Sequence, residues 1–295
     1  MLIKNKKYLI AVSGGPDSMF LLSKYKSKNI VVAHVNYNQR HDSGVDQEIV
    51  ESYCHKNNIK LHVLNLKKDE YNGGNFQDWA RNERYNFFKK VYDEEKCNVL
   101  LIAHNLDDFL ETSILQLNSG RKPLYYGIKK SNNIFGMKII RPLLFRYFKN
   151  SIEKRCVSKE IPFHIDYTNK TNKYSRNKIR NSLKKKTKVH KMLLFTKIVI
   201  KNVFLKFKKH IIDKQYKKWE KNHFSISCFA SLKNKEEVIF KFLTKDGYKI
   251  NLSKSKLDSI ISFVLAKTNN KTYKLNDNFY LDKKNWKLFI KNSII

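Results

Sequence analysis

The chain has 295 residues, 41% of them hydrophobic, and a formal net charge of +34. That length suits one large or two ordinary domains with a sizeable core; no run approaches the roughly 18 apolar residues of a membrane span, and Met1–Lys7 lacks the apolar stretch of a secretory signal. The four cysteines, Cys54, Cys97, Cys156 and Cys228, form no Cys-x-x-Cys pair, which excludes a zinc ribbon or dithiol and leaves a reduced cytoplasm as the expected compartment.

The first element is a strand over 8–12, Tyr-Leu-Ile-Ala-Val, running into Ser13-Gly14-Gly15-Pro16-Asp17-Ser18. Met19-Phe20-Leu21-Leu22 then carries a helix over 18–27. Two glycines let the backbone turn sharply and leave room for a ligand against the main chain. A glycine nest before a helix N-terminus is an anion site, most often for phosphate. The loop is not a Walker A sequence, because an aspartate stands where that loop has a lysine. A carboxylate beside phosphate oxygens needs a cation between them, which points to Mg²⁺. The plainer alternative is a strand–turn–helix corner capped by serine.

Further strands are expected at 30–35, 61–64 and 99–103, and helices at 44–57, 76–93 and 106–117. Short continuous apolar strands between amphipathic helices indicate an α/β fold with a doubly wound, mainly parallel sheet. Ligands bind such sheets at the carboxyl ends of the strands. The glycine loop, His34-Val35-Asn36 and His104-Asn105 all stand at such ends and are expected to share one cleft. Residues 119–137 lack periodicity and read as a surface loop; a helix is expected at 149–160.

The composition changes near residue 181. All nine arginines lie between Arg40 and Arg180, and 181–295 carries 28 Lys against 8 acidic residues. The expected domains are therefore 1–181, holding the cleft, and 182–295, a basic and largely helical region with short strand-like runs. The charge reads as a polyanionic partner, nucleic acid above all. Codon drift in an A/T-rich genome is the competing source of so much lysine. Arginine that survives such drift would mark sites where the planar fork matters.

Three more constellations carry chemistry. On the helix after strand 99–103, Asp107, Asp108 and Glu111 fall within about one turn. They read as metal or amine ligands, or as partners of the helix dipole. Arg81 and Arg84 are i,i+3 neighbours, and Arg176 and Arg180 are i,i+4 neighbours if 176–180 is helical.

In this order and spacing the segments resemble the tRNA(Ile)-lysidine synthase family, within the PP-loop group of ATP pyrophosphatases. Ser13–Ser18 matches the group signature Ser-Gly-Gly-x-Asp-Ser. Ala33-His34-Val35-Asn36 with Arg40 is similar to the family's second-strand signature, although Tyr37 stands where histidine is common. His104-x-x-Asp107-Asp108-x-x-Glu111-Thr112 matches another motif, with Ala103 in place of a glycine. Arg141-Pro142-Leu143-Leu144 and Asp166-x-Thr168-Asn169 through Arg176-Asn177-x-Ile179-Arg180 match the later ones. The resemblance covers 8–180 well, and 181–295 only in general character.

The resemblance implies a C–N ligase acting on the wobble cytidine of an isoleucine tRNA with anticodon CAU. ATP adenylates the C2 carbonyl oxygen and pyrophosphate leaves. The ε-amine of free L-lysine then attacks C2 and AMP departs, so that lysidine decodes AUA rather than AUG. Carried over residue by residue, Ser13, Gly14, Gly15, Pro16, Asp17, Ser18, Ala33 and His34 would bind ATP. Asp17 and Asp108 would hold Mg²⁺. Asp107 or Glu111 would take the lysine amine, and His104 would orient the base. Arg81, Arg84, Arg176 and Arg180 would meet the tRNA backbone or charge developing on the cytosine, and the basic tail would grip the stem. A homodimer stays open. The rival readings are a tRNA thiolase of the same fold, a small-molecule synthetase, and a non-catalytic basic RNA-binding protein.

Overall fold

The computed structural model describes residues 6–38, 43–67, 71, 73–119, 123–164, 175–245, 250 and 252–292. Arg40, Asp166, Thr168 and Asn169 of the sequence motifs lie outside these residues. Six strands form one sheet: β1 (Tyr8–Ala11), β2 (Ile30–Asn36), β3 (Lys60–Asn65), β4 (Val99–Leu101), β5 (Ser131–Ile134) and β6 (Met137–Ile140). Their order is β3-β2-β1-β4-β6-β5. All pairings are parallel except β5 with β6.

Helices cover both faces. Leu9, Val31 and Leu100 turn to one face, where they meet Tyr85, Phe88 and Val91 of α3 (Phe76–Glu94). Their strand neighbours Ile10, Val32 and Leu101 turn to the other, against α1 (Pro16–Tyr25), α2 (Ser43–Lys56) and α5 (Lys149–Ser158). Strands buried on both faces read as continuous apolar runs, which is why the sequence pattern finds them. The chain winds from β1 out through β2 to β3, then returns across β1 to β4. The strand order therefore reverses between β1 and β4, and the crevice at their carboxyl ends is the topological switch point.

Residues 119–137, read from sequence as a surface loop, instead include β5 and lead into β6. Phe135 and Gly136 join the two strands with φ of 51° and 76°. Two consecutive positive φ values form the tight hairpin turn whose twist suits antiparallel strands. The edge strand Ser-Asn-Asn-Ile carries no apolar alternation, so it leaves little pattern to read. β6 does bury Met137 and Ile139.

After α4 (Leu106–Asn118) and α5 come α6 (Ser175–Lys184) and the long α7 (Lys188–Lys221). Two compact units are present, Met1–Ile198 and Val199–Ile295. Residue 181 falls inside α6, which packs on α4 within the first unit. The second unit joins the end of α7 to α8 (Ile226–Ala230), α9 (Lys235–Thr244), α10 (Lys254–Leu265) and an antiparallel sheet β7-β8-β9 over Lys271–Lys274, Phe279–Lys284 and Lys287–Asn292. Its core is aromatic: Trp219 stacks among Phe224, Phe229 and Phe242 with ring centroids 4.7–5.2 Å away.

Candidate active site

The glycine loop leaves β1 and enters α1 through Gly15, with Pro16 at the first helical position. Proline suits that place because its missing N–H has no helical partner there. Gly14 has φ +81°, and a Cβ there would stand 2.9 Å from Asp46 backbone. Only glycine adopts this conformation at low cost. Ser18 Oγ donates to Gly15 O at 2.9 Å and accepts from Ser13 N–H at 3.1 Å, which ties the two ends of the loop together. His164 N–H donates to Gly14 O, and His164 Nδ1 lies 3.2 Å from Asp46 Oδ1. Among the described residues, the N–H groups of Gly14, Gly15, Asp17 and Ser18 have no protein acceptor. Four such donors at a helix N-terminus form an anion cradle.

Asn105 connects this loop to the acidic helix. Its side chain accepts from Asp108 N–H, and Asp108 Oδ2 accepts from Asn105 N–H at 2.9 Å, a reciprocal cap on α4. Asn105 Nδ2 also donates to Asp17 Oδ1 at 3.1 Å. Asp17 and Asp108 thus converge across the switch point from the first turns of α1 and α4. Burial, and then the charge of Asp108, push the Asp17 carboxyl up to about 7. Burial likewise raises Asp108. Both carboxyls are raised although Lys149 acts on the two of them and Arg176 and Arg180 act on Asp108, and this is the observation that fits a further cation. Among the described residues, no three or more metal-ligating side chains gather. Mg²⁺ needs fewer, since it takes one or two carboxylates and completes its shell with phosphate oxygens and water.

The neighbouring carboxylates already hold cations of the chain. Asp107 accepts from Lys191 Nζ at 2.5 Å and from Lys149 N–H at 2.8 Å. Glu111, 2% exposed, accepts from Arg180 Nε at 2.8 Å and Nη2 at 3.2 Å, and from Arg176 Nε at 3.3 Å. The sequence expectation gave Asp107 or Glu111 to a substrate amine. In the structure Asp107 clamps the first turn of α4 to α5 and α7, and Glu111 aims two guanidiniums.

His104 accepts from Arg141 Nε at 2.9 Å through Nδ1. Burial first, then the charges of Arg141 and Arg176, hold its pKa down to about 3. The ring is neutral, and an accepting Nδ1 leaves the proton on Nε2 as a donor. His34 is arranged the opposite way. Its Nδ1 faces Val12 O at 2.9 Å, so Nδ1 carries the hydrogen and Nε2 is a bare acceptor. That Nε2 is buried without a partner. His34, Ser13, Asn36, Asp46, Arg81 and Arg84 line one cavity of about 590 Å³ beside the loop. Arg81 and Arg84 both lie over the Tyr85 ring, at 4.8 and 5.7 Å. Ala33 is buried in β2, and its carbonyl accepts from Val12 N–H, so it lends the site only backbone.

Sequence reasoning gave no role to Asn105, Arg141, Asp46, His164 or Lys191. Asn105 had a signal: asparagine three residues before an acidic side chain at a helix start is a capping pattern. The others act across long sequence gaps. Three of the four thiols, Cys54, Cys97 and Cys156, are buried. Burial raises Cys54, Cys97 and Cys156 to about 11, whereas a reactive cysteine needs a lowered pKa.

The family model for the PP-loop domain matches residues 2–187. The chain is 49% identical over 276 residues to the tRNA(Ile)-lysidine synthase of Mycoplasmopsis pulmonis, covering 93% of this chain and 96% of that one. It is 40% identical to the tRNA(Ile)-lysidine synthase of Mesomycoplasma hyopneumoniae over 99% of both chains. A solved U34-tRNA thiolase from Methanococcus maripaludis superposes with a TM-score of 0.53 at 20% identity, over 68% of this chain and 73% of that one, a likeness of fold.

Proposed function

The chain belongs to the tRNA(Ile)-lysidine synthase family of PP-loop proteins, and from that premise we propose how its cleft performs the reaction. The activity is ATP-dependent ligation at the wobble cytidine of tRNA(Ile), with lysine as the amine. The observation that carries the site assignment is the meeting of Asp17 and Asp108 through Asn105, beside a row of open N–H donors.

The loop N–H groups, Ser13 and Ser18 bind the phosphates of ATP. The cavity lined by His34 takes the nucleoside, where His34 Nε2 accepts a hydrogen bond from a ribose hydroxyl or the adenine amino group. Mg²⁺ held by Asp17 and Asp108 would offset the charge of the phosphate oxygens. His104 Nε2–H donates to the cytosine, and its depressed pKa keeps it a hydrogen-bond donor rather than a proton carrier. Arg176 and Arg180, fixed by Glu111, direct their remaining N–H groups at the charge that develops as the C2 carbonyl oxygen of the base is adenylated. Free lysine then displaces AMP. Asp107 positions α4 through Lys191 and Lys149 and does not touch the reacting atoms.

Thiolation is disfavoured, since the three buried thiols have raised pKa values and no Cys-x-x-Cys is present. Chromatography of labelled ATP incubated with the protein, tRNA and lysine tests the reading. AMP and pyrophosphate are the expected products, and ADP as the main product would overturn adenylation.

A further inference from the structure

A second cavity, of about 500 Å³, lies in the first unit beside Leu106 at the α4 N-terminus. It is large enough for an organic ligand, whose pockets run from about 300 to 1,000 Å³. Arg146, Lys154, Arg155, Lys184, Lys186 and Lys188 line it, and no acidic residue does. These cations come from three separate places in the chain: the turn before α5, the exposed side of α5, and the α6–α7 junction. Among the described residues, no carboxylate is in ion-pair reach of Arg146, Lys154, Lys184, Lys186 or Lys188. Converging like charges repel one another, so the arrangement needs an anion to be favourable.

The cavity also has an aromatic wall. Phe145 and Phe195 stand with ring centroids 5.7 Å apart, and each is backed by buried Phe109 at 5.3 and 5.5 Å. Phe145 is 37% exposed. A cationic rim around a braced aromatic face suits a chain of phosphates carrying flat bases, which is the chemistry of single-stranded nucleic acid. A duplex offers no free base face to stack. Leu106 forms part of the wall, and it directly precedes Asp107 and Asp108. Lys191, on the same wall, reaches through to Asp107.

We propose that this cavity binds an unpaired stretch of the tRNA substrate next to the reacting nucleotide, with phosphates on Lys154, Lys186 and Lys188 and a base against Phe145. The proposal rests on tRNA being the substrate. It assigns the first unit its own RNA contact, formed by lysines, apart from the arginines of the catalytic cleft.

The test uses the full chain and a fluorescein-labelled seven-nucleotide RNA with CAU at its centre, followed by anisotropy at several salt concentrations. The combined variant Lys154→Gln, Lys186→Gln, Lys188→Gln is compared with Lys267→Gln, Lys271→Gln, Lys284→Gln, which removes equal charge from the second unit. Loss of three single-strand phosphate contacts lowers the slope of log affinity against log salt by about 2. The cavity variant is expected to bind at least about tenfold more weakly with that smaller slope, while the control stays within about threefold. Phe145→Leu is expected to weaken binding about fivefold or more without changing the slope. ATP binding within twofold of wild type shows that each variant is folded. Equal effects of the two triple variants, or none from the first, would overturn the proposal. So would displacement of the RNA by inorganic pyrophosphate at matched ionic strength, since that marks a small-anion site. Lysidine formation by the wild-type protein is measured separately, so failure of the cavity is distinguished from failure of the activity.

Discussion

Arg180 forks onto Glu111, with Nε 2.8 Å from one carboxylate oxygen and Nη2 3.2 Å from the other. The pair joins α6 to α4 across 69 residues. A planar guanidinium makes both bonds at once, whereas an ammonium is a point charge that cannot reproduce the fork. Arg180→Lys is therefore expected to lower kcat/KM by about 1–3 kcal/mol, the range for a lost hydrogen bond to a charged group. Steady-state kinetics with tRNA varied measures it; wild-type kinetics would remove Arg180 from the site.

Asp17→Asn and Asp108→Asn should each lower turnover by about a hundredfold or more, since each removes charge stabilisation at the phosphates. Both side chains stand at the glycine loop, joined through Asn105, so tRNA affinity in a filter-binding assay should stay near wild type. Weakened tRNA binding in both variants would assign the pair to RNA rather than to ATP.

The two loop glycines should behave differently. Gly14 has φ +81° and faces Asp46 backbone at 2.9 Å, while a Cβ on Gly15 meets only Ser13 Oγ at 3.7 Å. Gly14→Ala is expected to cost about 2 kcal/mol in stability, roughly 4–8 °C in Tm, together with ATP binding. Gly15→Ala should leave Tm unchanged and weaken ATP only by narrowing the approach to the backbone. Thermal melts with and without ATP separate the two.

A structural pH response is expected far from the cleft. Lys60, Lys7 and His62 hydrogen-bond Glu95 and hold its carboxyl down to about 2. A depressed folded pKa stabilises above the unfolded value of about 4.5 and loses that stability as pH falls toward 2. Urea melts should show Glu95→Gln about 1–2 kcal/mol less stable at pH 7. The difference should shrink between pH 4.5 and 2. A constant difference would mean that the charge contributes nothing.

Much of the cleft was legible because local rules dictate it. An apolar strand, two glycines and a proline at N1 can fold in few ways, so Ser13–Ser18 reads directly. The acidic cluster after β4 was legible in the sequence, but the partners of its members were not. Asp107 and Asp108 are adjacent and point to different sides of α4. Only the fold reveals that one meets Lys191, 84 residues away, and the other Asn105. Glu111 read as an amine ligand because the sequence showed it and its two arginines as separate features. The β5–β6 hairpin escaped notice since an edge strand of serine and asparagine has no apolar period.

The reaction proposed for this cleft joins lysine to the wobble cytidine through an adenylated base. The most direct measurement is mass analysis of nucleosides from tRNA(Ile) with anticodon CAU after incubation with the protein, ATP and L-lysine. One cytidine heavier by lysine less water is expected, formed only when ATP and lysine are both present and absent with Asp108→Asn. An unmodified cytidine under full conditions, or a sulfur-containing product in its place, would contradict it.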